Sequence, residues 1–119
     1  MKTLILNRER AFDAQGGRCY YCKCAMWRGR GCADFCRRHA LTTSQASGLQ
    51  STAEHLLARC EGGRDVACNI VAACRRCNGG RHKQKAVLEP AAFVRFVERR
   101  VTLEKWHIVD PGSHGLRPA

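Results

Sequence analysis

The apolar residues of this chain fall into short groups separated by turn-forming residues, and the rhythm within each group predicts its element. Asn7 stands where a helix cap belongs, ahead of Arg8-Glu9-Arg10-Ala11-Phe12-Asp13-Ala14-Gln15, and Gly16-Gly17 would end that helix. From Ser51 the run Thr52-Ala53-Glu54-His55-Leu56-Leu57-Ala58 reads as a strand, with Glu61-Gly62-Gly63-Arg64-Asp65 as the turn after it. Asn69-Ile70-Val71-Ala72-Ala73, rich in β-branched residues, reads as the returning strand. The basic segment 78–85 starts a further helix. Pro90 suits the first turn of a last helix over about 90–106, where Phe93, Val94, Val97 and Val101 share one side. Residues 25–50 show weak periodicity and several glycines, and read as a long loop or insertion with a short helix near 34–40. The tail, 110–115, reads as irregular. With no internal repeat, the expectation is one α+β domain over residues 1–119, its core at about 19–85.

Charge sharpens this picture. Lys and Arg outnumber Asp and Glu by 21 to 10, a formal charge of +11 on 119 residues, which favours a polyanionic partner through phosphate contacts and counterion release. Charge alone does not separate DNA from RNA or from an anionic membrane surface. No apolar run approaches the ~20 residues that span a bilayer. The opening Met1-Lys2-Thr3-Leu4-Ile5-Leu6-Asn7-Arg8 is too short an apolar stretch for a signal peptide, so the expected compartment is the cytoplasm.

Nine cysteines, an odd count without a secretion signal, argue against a full disulfide framework and for metal binding. Cys19-Tyr20-Tyr21-Cys22 and Cys74-Arg75-Arg76-Cys77 together make a four-thiolate set, since a two-residue gap lets both sulfurs of a knuckle face one ion at ~2.3 Å. Such a structural zinc would pin the N-terminal segment to the hairpin, and aromatic content is low enough for the core to need that staple. Cys24, Cys32, Cys36 and His39 read either as a second metal site or as small buried hydrophobes. Cys60 and Cys68 flank the turn and read as packing residues.

Between and just beyond the knuckles lie the residues with chemistry. Asn78 and His82 stand four apart, so on a helix they share a face and present an oxygen and a nitrogen to one ion, with Glu54 as the charged ligand. Glu54 and His55 are adjacent on a strand and point to opposite faces unless a twist or bulge intervenes.

The order Glu54-His55, Gly62-Gly63, Asn69, Cys74-Arg75-Arg76-Cys77-Asn78 resembles the HNH endonucleases, whose zinc-stapled members carry an upstream Cys-x-x-Cys as Cys19 and Cys22 do here. The resemblance spans Cys19 to about Lys85, interrupted by 25–50, and implies a small ββα-metal domain with a structural four-cysteine zinc site and flanking helices. It implies DNA as partner and phosphodiester hydrolysis to 5′-phosphate and 3′-hydroxyl ends. His55 would be the general base, an imidazole suiting that task near neutrality. Asn69 would accept a hydrogen bond from the far ring nitrogen of His55 and fix its tautomer. Glu54, Asn78 and His82 would hold one divalent ion (Mg²⁺, Mn²⁺, Ni²⁺ or Zn²⁺) that stabilises charge on phosphate and leaving group.

Glu54 stands where the family more commonly has Asp, and Gly79-Gly80 follow Asn78, either weakening the helix or letting its backbone approach a phosphate. Arg75, Arg76, Arg81, Lys83 and Lys85 crowd this segment without an intervening acid and read as a phosphate grip, which Arg28, Arg30, Arg37 and Arg38 would extend. Arg95, Arg99 and Arg100 read equally as a solvated face. His39, His107 and His114 have no such context, and nothing announces base readout. The rival to the enzyme is a zinc-bearing nucleic-acid-binding module without catalysis. A purely structural zinc ribbon is the third reading.

Overall fold

The computed structural model describes residues 2–118. Seven regular elements follow in chain order: α1 (Lys2–Ala14), α2 (Cys32–His39), α3 (Thr43–Ser47), β1 (Ser51–His55), β2 (Ile70–Cys74), α4 (Arg75–His82) and α5 (Pro90–Thr102). The chain is α+β. Among the described residues its sheet is the antiparallel pair β1–β2, in a register that sets Glu54 opposite Val71 and His55 opposite Ile70.

Helix α1 begins five residues before Asn7, at Lys2, so Asn7 is an interior position and not the cap. Nothing in Lys2-Thr3-Leu4-Ile5-Leu6 breaks a helix, and Asn7 is buried with its amide donating to Asp65 O at 3.2 Å. A tertiary partner outweighs its local preference for a terminus. Gly16 and Gly17 do close the helix, returning their N–H groups to Asp13 O and Phe12 O.

The 25–50 stretch is packed structure, not a loose insertion. Thr42 caps α3 in a reciprocal capping box with Gln45, and Trp27 bridges to Gln50 alongside β1. Met26, Phe35, Leu41, Ala46 and Leu49 are buried there, so helix contacts too short to show periodicity still supply core.

Strand β1 ends at His55, three residues short of the expected end, because the chain turns at Leu56–Leu57 into the loop that Asn69 holds. Asn69 itself lies in a 3₁₀ turn (Ala67–Asn69) ahead of β2. Cys60 and Cys68 are exposed, so they are not packing residues. Helix α4 starts at Arg75, three residues before Asn78, with Cys74 as its cap.

Pro90 occupies the first turn of α5, and Phe93, Val97 and Val101, one face at steps of four, are buried. The helix stops at Thr102, short of 106, and Glu104 takes a left-handed φ of 57° that turns Trp106 back onto the core. Phe93 meets Tyr21 edge-on at 4.9 Å and Trp106 at 6.0 Å, joining α5 to the first knuckle. The tail is irregular as expected, apart from a 3₁₀ turn at Gly112–His114. No helix among the described residues is long and apolar enough to cross a membrane.

Gly63 is the tightest point of the site loop: a Cβ there would lie 1.7 Å from Leu57 O. We expect Gly63→Ala to displace the loop and lower the thermal midpoint, whereas Gly62→Asn, where a left-handed φ of 93° has open space, should be far milder. Parallel melting curves of the two variants check this.

Candidate metal centre and carboxylate–imidazole cluster

Two polar constellations occupy opposite ends of α4. At its start, the sulfurs of Cys19, Cys22, Cys74 and Cys77 are buried and all lie within 4.8 Å of one another. Cys22 Sγ and Cys74 Sγ are 3.9 Å apart, close to the ~3.8 Å edge of a tetrahedron with ~2.3 Å metal–sulfur bonds. The surrounding donors fit charged sulfur. Tyr21 N (3.4 Å) and Cys74 N (3.3 Å) donate to Cys19 Sγ, Cys77 N (3.4 Å) to Cys74 Sγ, and Trp106 Nε1 (3.2 Å) to Cys77 Sγ. Four buried thiols without a cation would gain little from such N–H donors, whereas thiolates on an ion are stabilised by them. The set fits a structural metal such as zinc.

The expected alternative metal group does not assemble. Among the described residues Cys24, Cys32, Cys36 and His39 form no ligand cluster: His39 Nδ1 pairs with His114 O at 2.9 Å, and its ring packs on Phe35.

At the far end of α4, Glu54 is 1 % exposed and its carboxylate is surrounded. Tyr21 OH donates to Oε2 at 2.8 Å, Arg81 Nη1 to Oε2 at 2.9 Å, and His82 Nε2 lies 2.8 Å from Oε1. Burial first, then the carboxylate, pushes the Tyr21 phenol well above its usual range, so it stays a donor. Arg81 also donates to His55 O, Leu56 O and Leu88 O, which makes it an internal brace at 3 % exposure. That corrects its expected place in the phosphate grip: i+4 spacing from Cys77 puts Arg81 on the inward face of α4.

Arg76 is likewise structural. Its Nε donates to Trp106 O at 3.0 Å and its guanidinium lies 3.8 Å over the Trp106 ring. Arg75, Lys83 and Lys85 remain exposed. Of the outer arginines, Arg28 pairs with Glu9 and Asp13, and Arg37 and Arg38 pair with Asp34, so only Arg30 keeps an exposed guanidinium outside these pairs.

Asn78 and His82 do share a face of α4. Asn78 Nδ2 donates to Thr52 Oγ1 (3.0 Å) and Ala53 O (3.1 Å), which leaves the amide oxygen as its ligand atom. Gly80 has a packing reason to lack a side chain, because a Cβ would lie 2.8 Å from the Trp106 ring.

His55 points away from Glu54, as strand alternation dictates, with no bulge to bring the two side chains together. Its Nε2 lies 2.7 Å from Asp65 Oδ1, not against Asn69 as expected. Asn69 is occupied with backbone: its Oδ1 accepts from Leu57 N at 2.8 Å and its amide donates to Leu57 O and Arg64 O. The backbone at Leu57 offers Asn69 both a donor and an acceptor, more than one imidazole nitrogen would. Asp65 is the partner of His55 that the sequence did not mark; its place in the Gly62-Gly63 turn marked it only as a turn residue. Hydrogen bonding from His55 foremost, then Arg59 (Nη2–Oδ2 3.0 Å), holds its carboxyl below the usual value of 3.8. Because that value is lowered in the folded chain, the contact stabilises above pH ~4 and is lost as acid protonates Asp65.

No protein-family model, curated protein or solved structure matches this chain.

Arg81→Ala would strand the buried Glu54 charge and should cost about 3 kcal/mol or more by chemical denaturation. Lys83→Ala, on an exposed side chain, should leave stability within about 0.5 kcal/mol. A strong chelator should unfold the domain cooperatively, read by loss of far-UV circular dichroism and its return on adding zinc.

Proposed function

We propose that this chain is a metal-dependent DNA endonuclease of the HNH type, with β1, β2 and α4 as its ββα-metal unit. The carrying observation is the meeting of Glu54 and His82 across β1 and α4, with the next residue of the strand, His55, held through its far nitrogen by a carboxylate. Glu54 Oε1, His82 Nε2 and the Asn78 amide oxygen are the atoms that would hold the catalytic ion, which would stabilise charge on the phosphate and the leaving oxygen. Tyr21 and Arg81 engage the other carboxylate oxygen, so Oε1 is the one left for a ligand.

With Nε2–H donating to Asp65, His55 carries its lone pair on Nδ1. There it takes a proton from water as the water oxygen attacks phosphorus. The P–O3′ bond breaks and the 3′ oxygen is protonated from solvent, giving 5′-phosphate and 3′-hydroxyl ends. Asp65 serves as the positioning residue, in the place that the family resemblance implies for Asn69. Arg75, Lys83 and Lys85 are the exposed cations that would grip the backbone.

A second reading is a zinc-bearing nucleic-acid-binding module. The observation in its favour is Arg81, which already neutralises Glu54 and lowers its need for a metal cation.

Plasmid incubated with the full chain and Mg²⁺, Mn²⁺, Ni²⁺ or Zn²⁺ separates the two. Nicking or linearisation that disappears in His55→Ala, with folding retained, is the expected result. DNA retained in a gel shift, with no metal-dependent cleavage above that control, would leave the binding module. Asp65→Asn should lower kcat by about 10- to 100-fold with KM little changed, since it acts through His55 and not on substrate.

A further inference from the structure

One histidine, itself half-buried, has no place in either constellation. His107 Nε2 is buried and, among the described residues, has no hydrogen-bond partner. A ring nitrogen shut off from water without a partner destabilises the fold unless something occupies it. Its neighbours supply a candidate occupant. Ligand atoms of His107, Cys22 and Cys24 lie within 4.8 Å of one another, and both cysteines are fully buried.

We propose that Cys22, Cys24 and His107 bind a second zinc ion, with the Cys22 thiolate bridging it to the four-cysteine site. Two sulfurs and an imidazole are ligands zinc favours over Mg²⁺ or Ca²⁺, and three protein ligands leave the fourth position to water. Tetrahedral ligands stand about 3.5–3.8 Å apart, so the three side chains close by roughly 1 Å around the ion. The backbone holds them ready for that. Cys24 O accepts from Cys19 N at 2.9 Å, and Lys23 adopts a left-handed φ of 63° that turns the chain between Cys22 and Cys24. On the other side Trp106 is fixed by its bond to Cys77 Sγ and by Arg76, which places the next residue, His107, over the cluster. The second ion thus ties the segment after α5 to the first knuckle. It is independent of the nuclease reading.

Full-length protein, reconstituted anaerobically with saturating Zn²⁺ and desalted, should show two ions per chain by native mass spectrometry. Cys24→Ser and His107→Gln should each retain one. A wild-type chain that saturates at one ion overturns the proposal, and so does retention of two ions in either variant. His107 is only half-buried, so His107→Gln carries the test if Cys24→Ser fails to fold. In cadmium-substituted protein, both metal signals should couple to the Cys22 β-protons; coupling to only one overturns the bridge.

Discussion

Four buried sulfurs drawn from two distant parts of the chain set the frame on which everything else is arranged. Cys19 and Cys22 precede the 25–50 region, whereas Cys74 and Cys77 end β2 and begin α4. A two-stranded hairpin alone is at best marginal in water; here α1 and α4 pack against both strands, and a cation shared by the four sulfurs would tie the first knuckle to it as well. Phe93, Val97, Tyr21 and Trp106 then pack around the cluster, and the core forms as a shell about it. A net charge of +11 opposes compaction, and a metal held by these thiolates would offset this where apolar area is short.

The second organising element is a carboxylate removed from water. Glu54 is tolerable at 1 % exposure only because a phenol, a guanidinium and an imidazole surround it. Those partners come from the first knuckle and from α4, so the charge reports the correct docking of three segments. The same surroundings fix which oxygen points toward His82. Stability and any chemistry at this site therefore draw on one set of contacts.

The paired Cys-x-x-Cys motifs were legible because two-residue spacing is dictated by tetrahedral coordination. The hairpin was legible because β-branched runs flank a Gly-Gly turn. Asn78 and His82 share a face of α4 as their i+4 spacing suggested, and the fold sets His82 against Glu54. What the sequence hid were choices among partners. Arg81 looks like its exposed neighbours Lys83 and Lys85 until helical phase is set by a helix start three residues earlier than expected. Asn69 lies beside the loop in sequence, yet nothing local says that it will hold Leu57 while Asp65 takes His55. The 25–50 region was legible only in part: the short helix expected near 34–40 is α2. Its packing and α3 were hidden, because a helix of five residues is too short for periodicity to rise above noise and only the capping box at Thr42 marks it.

Helix α4 carries Cys77 near one end and Arg81 and His82 at the other, over a length of about 12 Å at ~1.5 Å per residue. Two turns of helix do not flex, so what happens to the sulfur arrives at the imidazole undamped. An oxidant that converts a cluster cysteine to sulfenate or disulfide would release the helix, and with it the residues that face Glu54. The carboxylate–imidazole cluster has no redox chemistry of its own. Through one short rigid rod it acquires the vulnerability of thiolates to peroxide and electrophiles, at a distance, with none of its own atoms touched.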